Sequence, residues 1–299
     1  MKIGYFGDGP WAHKNIQKVL CDKKFKICFI VGRNNSIDST LEKIANRNSI
    51  DFFSFKNIND TKSFNKLITY DCDIFVSMSY NQIFKSKIFN YPKKGTINCH
   101  AGDLPRYRGR NILNWALIND EKEFGVTVHY IDEGIDTGDI ILQQKESISD
   151  QDDYGTLLER SHSVCADLLY KALVLIESNQ ANKISQNNMN VEGFYCKGRK
   201  EGDEVINWNN SAREVFNLVR AVTSPGPLAK TTYNENVIKI RKVIMDSYTT
   251  VDGFKCGQII SDDNQSISIK CKDHSLTIKK NDIIMQNKYL TFKIGEFFK

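Results

Sequence analysis

The sequence predicts an α/β protein in which a mostly parallel sheet carries helices on both faces and is followed by a smaller β domain. Three observations lead to this prediction. Apolar, strand-like runs alternate with helix-spaced segments through the first half of the 299-residue chain. A later helical segment stops at a Ser-Pro-Gly-Pro turn, residues 224–227. Beyond that turn the pattern changes to short alternating strands separated by polar turns, which is typical of a barrel-like (OB-like) module.

The first half is predicted to be Rossmann-like, because its strands and helices alternate. Apolar runs predict four strands, at Lys2–Gly7, Phe25–Val31, Asp71–Tyr80 and Gly95–His100. Helical spacing predicts helices at Trp11–Cys21 and Ser39–Asn48, the second capped by Ser39 or Thr40. Since ligands of such sheets lie at the carboxyl ends of the strands, the Gly7–Pro10 turn is expected to share one cleft with Asn98 and His100.

The remaining elements follow from the same patterns. Phe124–Gln144 predicts two strands around a Gly-rich loop, and Tyr154–Ile176 and Ser211–Val222 predict amphipathic helices. The terminal β module is predicted to contain five strand segments, at Ala229–Tyr233, Val237–Met245, Gly257–Ile260, Ser266–Cys271 and Ser275–Lys280. We expect a catalytic domain at residues 1–190, a linker at 191–208, and a C-terminal helix with the small β domain at 209–299.

Composition excludes several classes of protein. Hydrophobic residues make up 40% of the chain and the formal net charge is +5, which favours anionic ligands but does not indicate a basic nucleic-acid arm. The longest apolar runs are far shorter than a membrane-spanning helix requires. The eight cysteines are scattered without a CxxC pair, and no secretion signal precedes the first strand, so we expect reduced cysteines and a cytoplasmic location.

The stretch NCHAGDLPRYRG is the first candidate for chemistry. Asn98 and His100 are two residues apart in a predicted strand, so their side chains point the same way and can aim an amide and a titratable base at one point. The alternative is a polar pair that only satisfies its own hydrogen bonds at a strand end. For the pair alone, the two interpretations are about equally supported.

Three further features accompany that pair. Asp132, Asp136 and Asp139 lie in a glycine-studded loop, where a carboxylate can orient His100 and support its charged form, or simply be solvated in a turn. The turn at Gly7–Trp11 joins a strand to a helix and suits a phosphate, although it is not a full GxGxxG motif. The basic loop 106–110 could bind phosphate or be an ordinary solvated surface.

Together these segments resemble the folate-dependent formyltransferases. The family pattern is Asn-x-His, Leu-Pro-x-x-x-Gly, a Trp-bearing helix, Gly-Val-Thr and Asp-x-Gly-x-Asp-x-Gly, and every step is present from Asn98 to Gly138. The steps between those two end residues are Leu104-Pro105, Gly109, Trp115, Gly125-Val126-Thr127, Asp132, Gly134 and Asp136. The resemblance covers nearly the whole chain, because the second half is similar to the C-terminal part of the same family. The segment Ala101-Gly102-Asp103 departs from the usual Ser-Leu-Leu-Pro-like run.

The resemblance implies 10-formyltetrahydrofolate as donor, a primary amine as acceptor, and no metal. It implies that Asn98 binds the formyl oxygen and that His100 stabilises it or carries the amine's proton. It implies that Asp136 holds His100 and helps to deprotonate the attacking amine, directly or through a water. It also implies that the folate lies at four residues: Ile83, Phe84, Asp132 and Gly134. For Ile83 and Phe84 the alternative is a place in the core.

The acceptor is expected to be a UDP- or dTDP-linked amino-deoxysugar for a surface glycan, with no nucleic-acid and no membrane partner. Basic and acidic residues nearly balance from residue 201 onward, and Gly32–Lys43 lacks the basic insertion loop of the family's tRNA enzyme. The stretch CKGRKEGDEVINW resembles a loop of the family's aminoarabinose enzyme. The candidate substrate-binding residues are Gly9, Trp11, Arg106, Lys197 and Arg199.

Three other functions stay open. They are methionyl-tRNA formylation, nucleotide-sugar binding without catalysis, and hydrolysis of the formyl donor. The intact set of Asn98, His100 and Asp136 argues against a pure binding protein. The nucleotide base, the sugar, the ring position and a homodimer are not fixed by the sequence.

Overall fold

The fold is described from a computed structural model, for residues 1–245, 253–285 and 291–299. Contacts divide the chain into two compact units. The first contains residues 1–112, 124–146 and 159–196, and the second contains residues 113–123, 147–158 and 197–299. The units therefore interleave along the chain, and the expected boundaries at 190 and 208 remain a prediction.

The first unit is built on a seven-stranded sheet of order β3-β2-β1-β4-β5-β7-β8. Its strands are β1 (Lys2–Gly7), β2 (Lys26–Gly32), β3 (Asp51–Ser54), β4 (Ile74–Met78), β5 (Thr96–His100), β7 (Glu123–Tyr130) and β8 (Ile140–Ser147). The first five strands of the order run parallel, and β7 pairs antiparallel with β5. This mostly parallel sheet with helices confirms the predicted fold class.

Helices alternate with these strands along the chain, as expected for strand–helix units. They are α1 (Gly9–Cys21), α2 (Ser39–Arg47), α3 (Thr61–Ile68), α4 (Ser86–Phe89), α5 (Ile112–Ile118) and α6 (Tyr154–Glu177). The buried side of α1 includes Ile16 and Val19. The cap of α2 differs from the prediction, because the carboxylate of Asp38 accepts the backbone N–H groups of Thr40 and Leu41.

Aromatic rings fill the centre of the sheet on one face. The rings of Phe29, Phe75 and Phe84 lie edge-on to Phe6 at 5.0–5.6 Å between centroids. Phe84 belongs to this cluster and its side chain is buried. Gly4 makes the packing possible, because a Cβ atom there would lie 2.4 Å from the Phe29 ring.

In the residues of the second unit that the structure describes, there are two antiparallel sheets and a capped helix. The strands are β10 (Ala229–Tyr233), β11 (Asn236–Ile240), β12 (Ile244–Met245), β13 (Ile259–Asp262), β14 (Ser266–Lys270), β15 (Ser275–Lys279) and β16 (Ile283–Met285). They form sheets of order β10-β11-β16 and β12-β15-β14-β13. Helix α7 (Ala212–Val222) begins with a capping box between Ser211 and Glu214, close to the predicted helix start.

Two features concern the expected linker at residues 191–208: the position of Trp208 and one short sheet. Trp208 is buried and donates from Nε1 to Oγ1 of Thr231, so it belongs to the core of the second unit. In the first unit, β6 (Arg108–Gly109) pairs in parallel with β9 (Tyr195–Cys196). Part of the segment 191–208 is therefore a strand that pairs with the basic loop.

Candidate active site

Asn98 and His100 lie at the carboxyl end of β5, on the same side of the strand. His100 is only 9% exposed, whereas Asn98 is half-buried. The Nε2 atom of His100 lies 2.7 Å from the carbonyl oxygen of Tyr107. A carbonyl only accepts hydrogen bonds, so Nε2 carries the proton and the lone pair of the neutral ring is on Nδ1.

Asp136 faces that lone pair from the loop between β7 and β8. Its Oδ2 lies 3.7 Å from Nδ1 of His100 and accepts the backbone N–H of Gly109 at 2.9 Å. Asp136 has a φ of +55°, in the left-handed region that aspartate tolerates better than most residues. The structure thus brings together the three side chains that the sequence singled out.

His129 is a fourth member of the cluster that the sequence analysis missed. It is 2% exposed on β7 and stands directly across from Asn98 in the antiparallel pair. Its Nε2 lies 3.3 Å from Nδ2 of Asn98 and 3.5 Å from Oδ1 of Asp136. Its Nδ1 lies 2.8 Å from the carbonyl oxygen of Tyr130, so Nδ1 donates, and Nε2 is the ring nitrogen that faces Asn98 and Asp136. His129 therefore contacts both the amide of Asn98 and the carboxylate of Asp136.

The electrostatics of the cluster suit proton transfer at His100. Burial lowers the pKa of His100, and the charge of Asp136 opposes that shift. Burial acts to raise the pKa of Asp136, but His100, His129 and the N–H of Gly109 outweigh it and hold this pKa well below its usual range. The carboxylate is thus ionised beside an imidazole that is neutral at pH 7. A proton taken up by His100 on Nδ1 would face a charged oxygen.

Gly102 lies in the segment 101–103, where the chain departs from the family pattern. A Cβ atom at this position would lie 2.4 Å from Nε2 of His100 and 2.5 Å from the carbonyl oxygen of Tyr107. The hydrogen bond between those two residues therefore depends on a glycine here. Thr127 holds the same turn, because its hydroxyl donates to the Gly102 carbonyl at 2.7 Å.

Gln186 holds the Asp136 loop and was also missed. Its side chain is buried, and its Nε2 donates to the carbonyl oxygens of Asp136 at 2.9 Å and Gly138 at 2.8 Å. Its Oε1 accepts from Nη2 of Arg108 at 2.6 Å. No local motif marks Gln186, because its partners lie 48 to 78 residues earlier in the chain.

The first turn differs from the predicted phosphate site. The N–H of Gly9 donates to Oδ2 of Asp38 at 2.8 Å, and the same oxygen lies 2.6 Å from Nε2 of His13. A carboxylate of the chain itself thus accepts the N–H that a phosphate was expected to bind. Trp11 donates from Nε1 to Oγ of Ser161 on α6 at 3.2 Å. The assignment of Gly9 and Trp11 to the acceptor stays a prediction.

The four residues assigned to the folate have different surroundings. Ile83 is 68% exposed, whereas Phe84 is buried in the aromatic cluster, which was the alternative considered for it. Asp132 accepts the N–H of Gly134 at 3.1 Å and the Thr137 hydroxyl at 2.5 Å. Asp132 and Gly134 thus shape the turn before Asp136, and their contact with the folate stays a prediction.

The remaining candidate acceptor residues are basic. Arg106 lies over the rings of Tyr107 and Phe194, at 5.5 and 5.9 Å from their centroids. In the second unit Lys197 is exposed, and its carbonyl accepts from Nε1 of Trp115 at 2.9 Å. Arg199 is half-buried near the carboxylates of residues 203 and 204. Their binding roles are likewise predictions.

Two absences hold for the part of the chain that the structure describes. None of its helices has the length and apolar character needed to cross a bilayer. Among the same residues, no group of three or more His, Cys, Asp or Glu side chains could hold a metal ion.

Two family models match this chain. A formyl transferase model matches residues 1–173, and a formyl transferase C-terminal domain model matches residues 199–289. The chain belongs to the formyl transferase family. This confirms the resemblance and with it a folate-dependent formyltransferase activity that uses 10-formyltetrahydrofolate.

Several relatives of this chain share one name. The chain is 32% identical over 308 residues to a methionyl-tRNA formyltransferase of Clostridioides difficile, covering 100% of this chain and 96% of the relative. Seven more relatives, 30–35% identical, have the same name.

The solved structures share the fold with this chain at lower identity. One is WlaRD, a sugar 3N-formyl transferase solved with dTDP and 5-N-formyl-THF (TM-score 0.66, 24% identity, 96% of this chain and 98% of that one). Another is the N-formyltransferase of Helicobacter canadensis with folinic acid and dTDP-3-aminofucose (TM-score 0.69, 23% identity, 93% and 98%).

Proposed function

We propose that this formyltransferase transfers the formyl group to a primary amine at the cluster of Asn98, His100, His129 and Asp136. The observation that carries the proposal is the geometry of His100. Its Nε2 proton is committed to Tyr107, and its Nδ1 lone pair faces the ionised Asp136 at 3.7 Å. A base in this arrangement can take a proton from a bound ammonium or attacking amine without leaving the new charge unopposed.

Each of these side chains has its own role in the reaction. The amine nitrogen forms a bond to the formyl carbon, and the bond from that carbon to N10 of the donor breaks. The amide of Asn98, which contacts His129, donates to the formyl oxygen as negative charge develops on it. His100 takes the proton lost by the amine on Nδ1 and returns it toward the leaving nitrogen, and Asp136 stabilises the imidazolium in between.

Methionyl-tRNA is the first acceptor to test. Eight relatives at 30–35% identity have that name, and the one with 32% identity spans the whole chain. These relatives leave the expectation of no nucleic-acid partner without support. A C-terminal part with nearly balanced charge would then have to bind tRNA with few phosphate contacts, so that its affinity should depend weakly on salt.

A nucleotide-linked amino sugar is the second candidate, and the connection after β2 favours it. That connection is short and tied to the body of the first unit, because Arg33 donates to the carbonyl of Ser79 at 3.0 Å and Asp38 caps α2 while accepting from Gly9. A loop held at both ends by its own side chains is poorly suited to wedge into a nucleic-acid stem.

Side-by-side assays separate the two acceptors. The enzyme is incubated with 10-formyltetrahydrofolate and either charged initiator tRNA or UDP- and dTDP-linked amino sugars, and the formylated product is identified by mass spectrometry. His100→Ala should lower turnover by at least a factor of 10² with the true acceptor. Formylation of neither class, or unchanged turnover in His100→Ala, would overturn the proposal.

A further inference from the structure

A four-residue segment, Gly193–Cys196, lies against the basic loop beside the catalytic cluster; we call it the aromatic strap. Its last two residues form β9, which pairs with Arg108 and Gly109 of β6. The N–H of Arg108 donates to the carbonyl of Phe194, the residue before β9, at 3.0 Å. The strap is therefore held by backbone hydrogen bonds rather than by side chains alone.

Two glycines allow this close approach. A Cβ atom on Gly109 would lie 2.4 Å from the carbonyl oxygen of Cys196, and Gly109 has a φ of +97°. A Cβ atom on Gly193 would lie 2.8 Å from the carbonyl of Pro105 and 3.2 Å from the guanidinium of Arg108. The two segments thus meet where neither has a side chain in the way.

The strap is coupled to the catalytic groups through single backbone contacts. The carbonyl of Tyr107 accepts from His100, and the N–H of Gly109 donates to Asp136. Tyr107 also places its ring 4.7 Å from the ring of Phe194, edge to face. One short loop therefore touches the base, the carboxylate and the strap.

The outward side of the strap presents aromatic rings and arginines. Tyr195 is 54% exposed and Phe194 is 37% exposed. The guanidinium of Arg108 lies 5.5 Å from the Tyr195 centroid, and that of Arg106 lies 5.9 Å from the Phe194 centroid. Exposed aromatic rings can stack on the planar face of a nucleobase, and arginines beside them can neutralise the phosphate of the same nucleotide.

We propose that the aromatic strap binds the nucleobase of the acceptor, with Tyr195 and Phe194 as the stacking surface and Arg106 against the adjoining phosphate. The inference rests on the proposed function for the identity of the acceptor. Both candidate acceptors carry a nucleotide next to the amine, so one site serves either a nucleoside diphosphate sugar or the terminal adenosine of a charged tRNA. The strap thus orients the amine toward His100 from the acceptor side.

Nucleotide binding without turnover tests the site directly. UMP, dTMP, AMP and ribose 5-phosphate are titrated into the full-length enzyme by isothermal calorimetry. One nucleotide should bind more tightly than ribose 5-phosphate, which lacks a base. A preference for UMP or dTMP supports a nucleotide sugar as the source, and a preference for AMP supports tRNA. Equal binding of all four ligands, or no binding, would overturn the site.

Variants locate the binding on the strap. Tyr195→Ala should weaken nucleotide binding by roughly 5- to 100-fold, as loss of one stacking ring does, and Tyr195→Phe should bind like the wild type. Phe297→Ala is the matched control, because Phe297 is 37% exposed, like Phe194, but lies in the second unit. Wild-type binding by both Tyr195→Ala and Phe194→Ala would show that the strap is not the site.

Kinetics distinguish failure of the site from failure of the proposed function. With the true acceptor, Tyr195→Ala should raise KM by the same factor as the loss of binding, and kcat should change less than about threefold. If Tyr195→Ala formylates normally with an unchanged KM, the strap is not the nucleotide site, but the proposed formyl transfer stands. If nucleotide binding depends on Tyr195 but the enzyme formylates no amine, the nucleotide site stands and the proposed formyl transfer is wrong.

Discussion

Replacing Asp136 with asparagine tests the central electrostatic relation of the site. The substitution keeps the shape of the side chain and removes its charge. The amide oxygen can still accept the N–H of Gly109, which Oδ2 of Asp136 accepts at 2.9 Å. The amide nitrogen then takes the place of Oδ1 of Asp136, which lies 3.5 Å from Nε2 of His129. The fold of the loop should therefore survive, and the change should act on catalysis.

The magnitude follows from the distance between the two charges. A carboxylate oxygen 3.7 Å from Nδ1 of His100 stabilises the imidazolium by about 4 kcal/mol at an effective dielectric constant of about 20. Each factor of ten in rate corresponds to about 1.4 kcal/mol. If that stabilisation is needed in the transition state, kcat should fall by roughly 10³. Since the charge that opposes burial is gone, the pKa of His100 should also fall further.

The assay is formyl transfer to the true acceptor, measured from pH 5 to pH 9, with thermal unfolding as a check on folding. Glu133→Gln is the control, because Glu133 is an exposed carboxylate in the same loop and its removal should leave the profile unchanged. In Asp136→Asn the acid limb of the pH profile should move to lower pH. A kcat within tenfold of the wild type, or an acid limb displaced to higher pH, would refute the assignment of His100 as the base supported by Asp136.

Three other expectations concern stability and reactivity. Gly109→Ala should lower the free energy of unfolding in urea by about 1–3 kcal/mol more than Gly202→Ala. Both glycines have a φ of +97°, but of the two only Gly109 has a carbonyl oxygen where the new Cβ atom would lie. Equal effects of the two substitutions would contradict this close contact. His100 has a pKa below its unfolded value of about 6.5, so the unfolded chain binds a proton that the folded chain does not, and acidification below that value destabilises the protein. His100→Gln should accordingly show a smaller drop in urea midpoint between pH 7.5 and pH 5.5, and an equal or larger drop would be inconsistent with the buried neutral ring. The Cys72 thiol donates to Cys28 and lowers the pKa of Cys28 to about 7, so iodoacetamide should label Cys28 half-maximally near pH 7. Cys72→Ala, which removes the donor, should move that midpoint upward; an unmoved midpoint would exclude the Cys72 contact as the cause.

The sequence predicted those parts of the fold that carry a strong apolar signal. The strand Lys2–Gly7 was predicted with its observed ends, because five of its six residues are buried. Strand β3 was missed because its four residues are only partly buried and no apolar run marks them. Helix α3 was missed for a similar reason, because polar residues break its pattern. A fully buried strand leaves an apolar run in the sequence, whereas the partly buried edge strand β3 leaves none.

The site shows the same division. Asn98, His100 and Asp136 stand in a recognisable motif, and the structure brings them together. In the sequence, nothing distinguishes His129 from the other residues of an alternating strand. Its role is visible only in the structure, where the antiparallel register places it opposite Asn98. Asp38 was passed over as a helix cap because Ser39 and Thr40 follow it, and its second bond, to Gly9, depends on tertiary structure.

The contacts of Gln186 set a lower limit on the length of any active fragment. The N-terminal family match ends at residue 173, so a truncated chain cut there would contain Asn98, His100, His129 and Asp136 but lack the amide that holds the backbone of Asp136 and Gly138. Such a fragment is expected to fold its sheet and leave the carboxylate loop loose. We expect a complete site only in a chain that also includes Tyr195 and Cys196, because β9 pairs with β6 beside the Asp136 loop contacts.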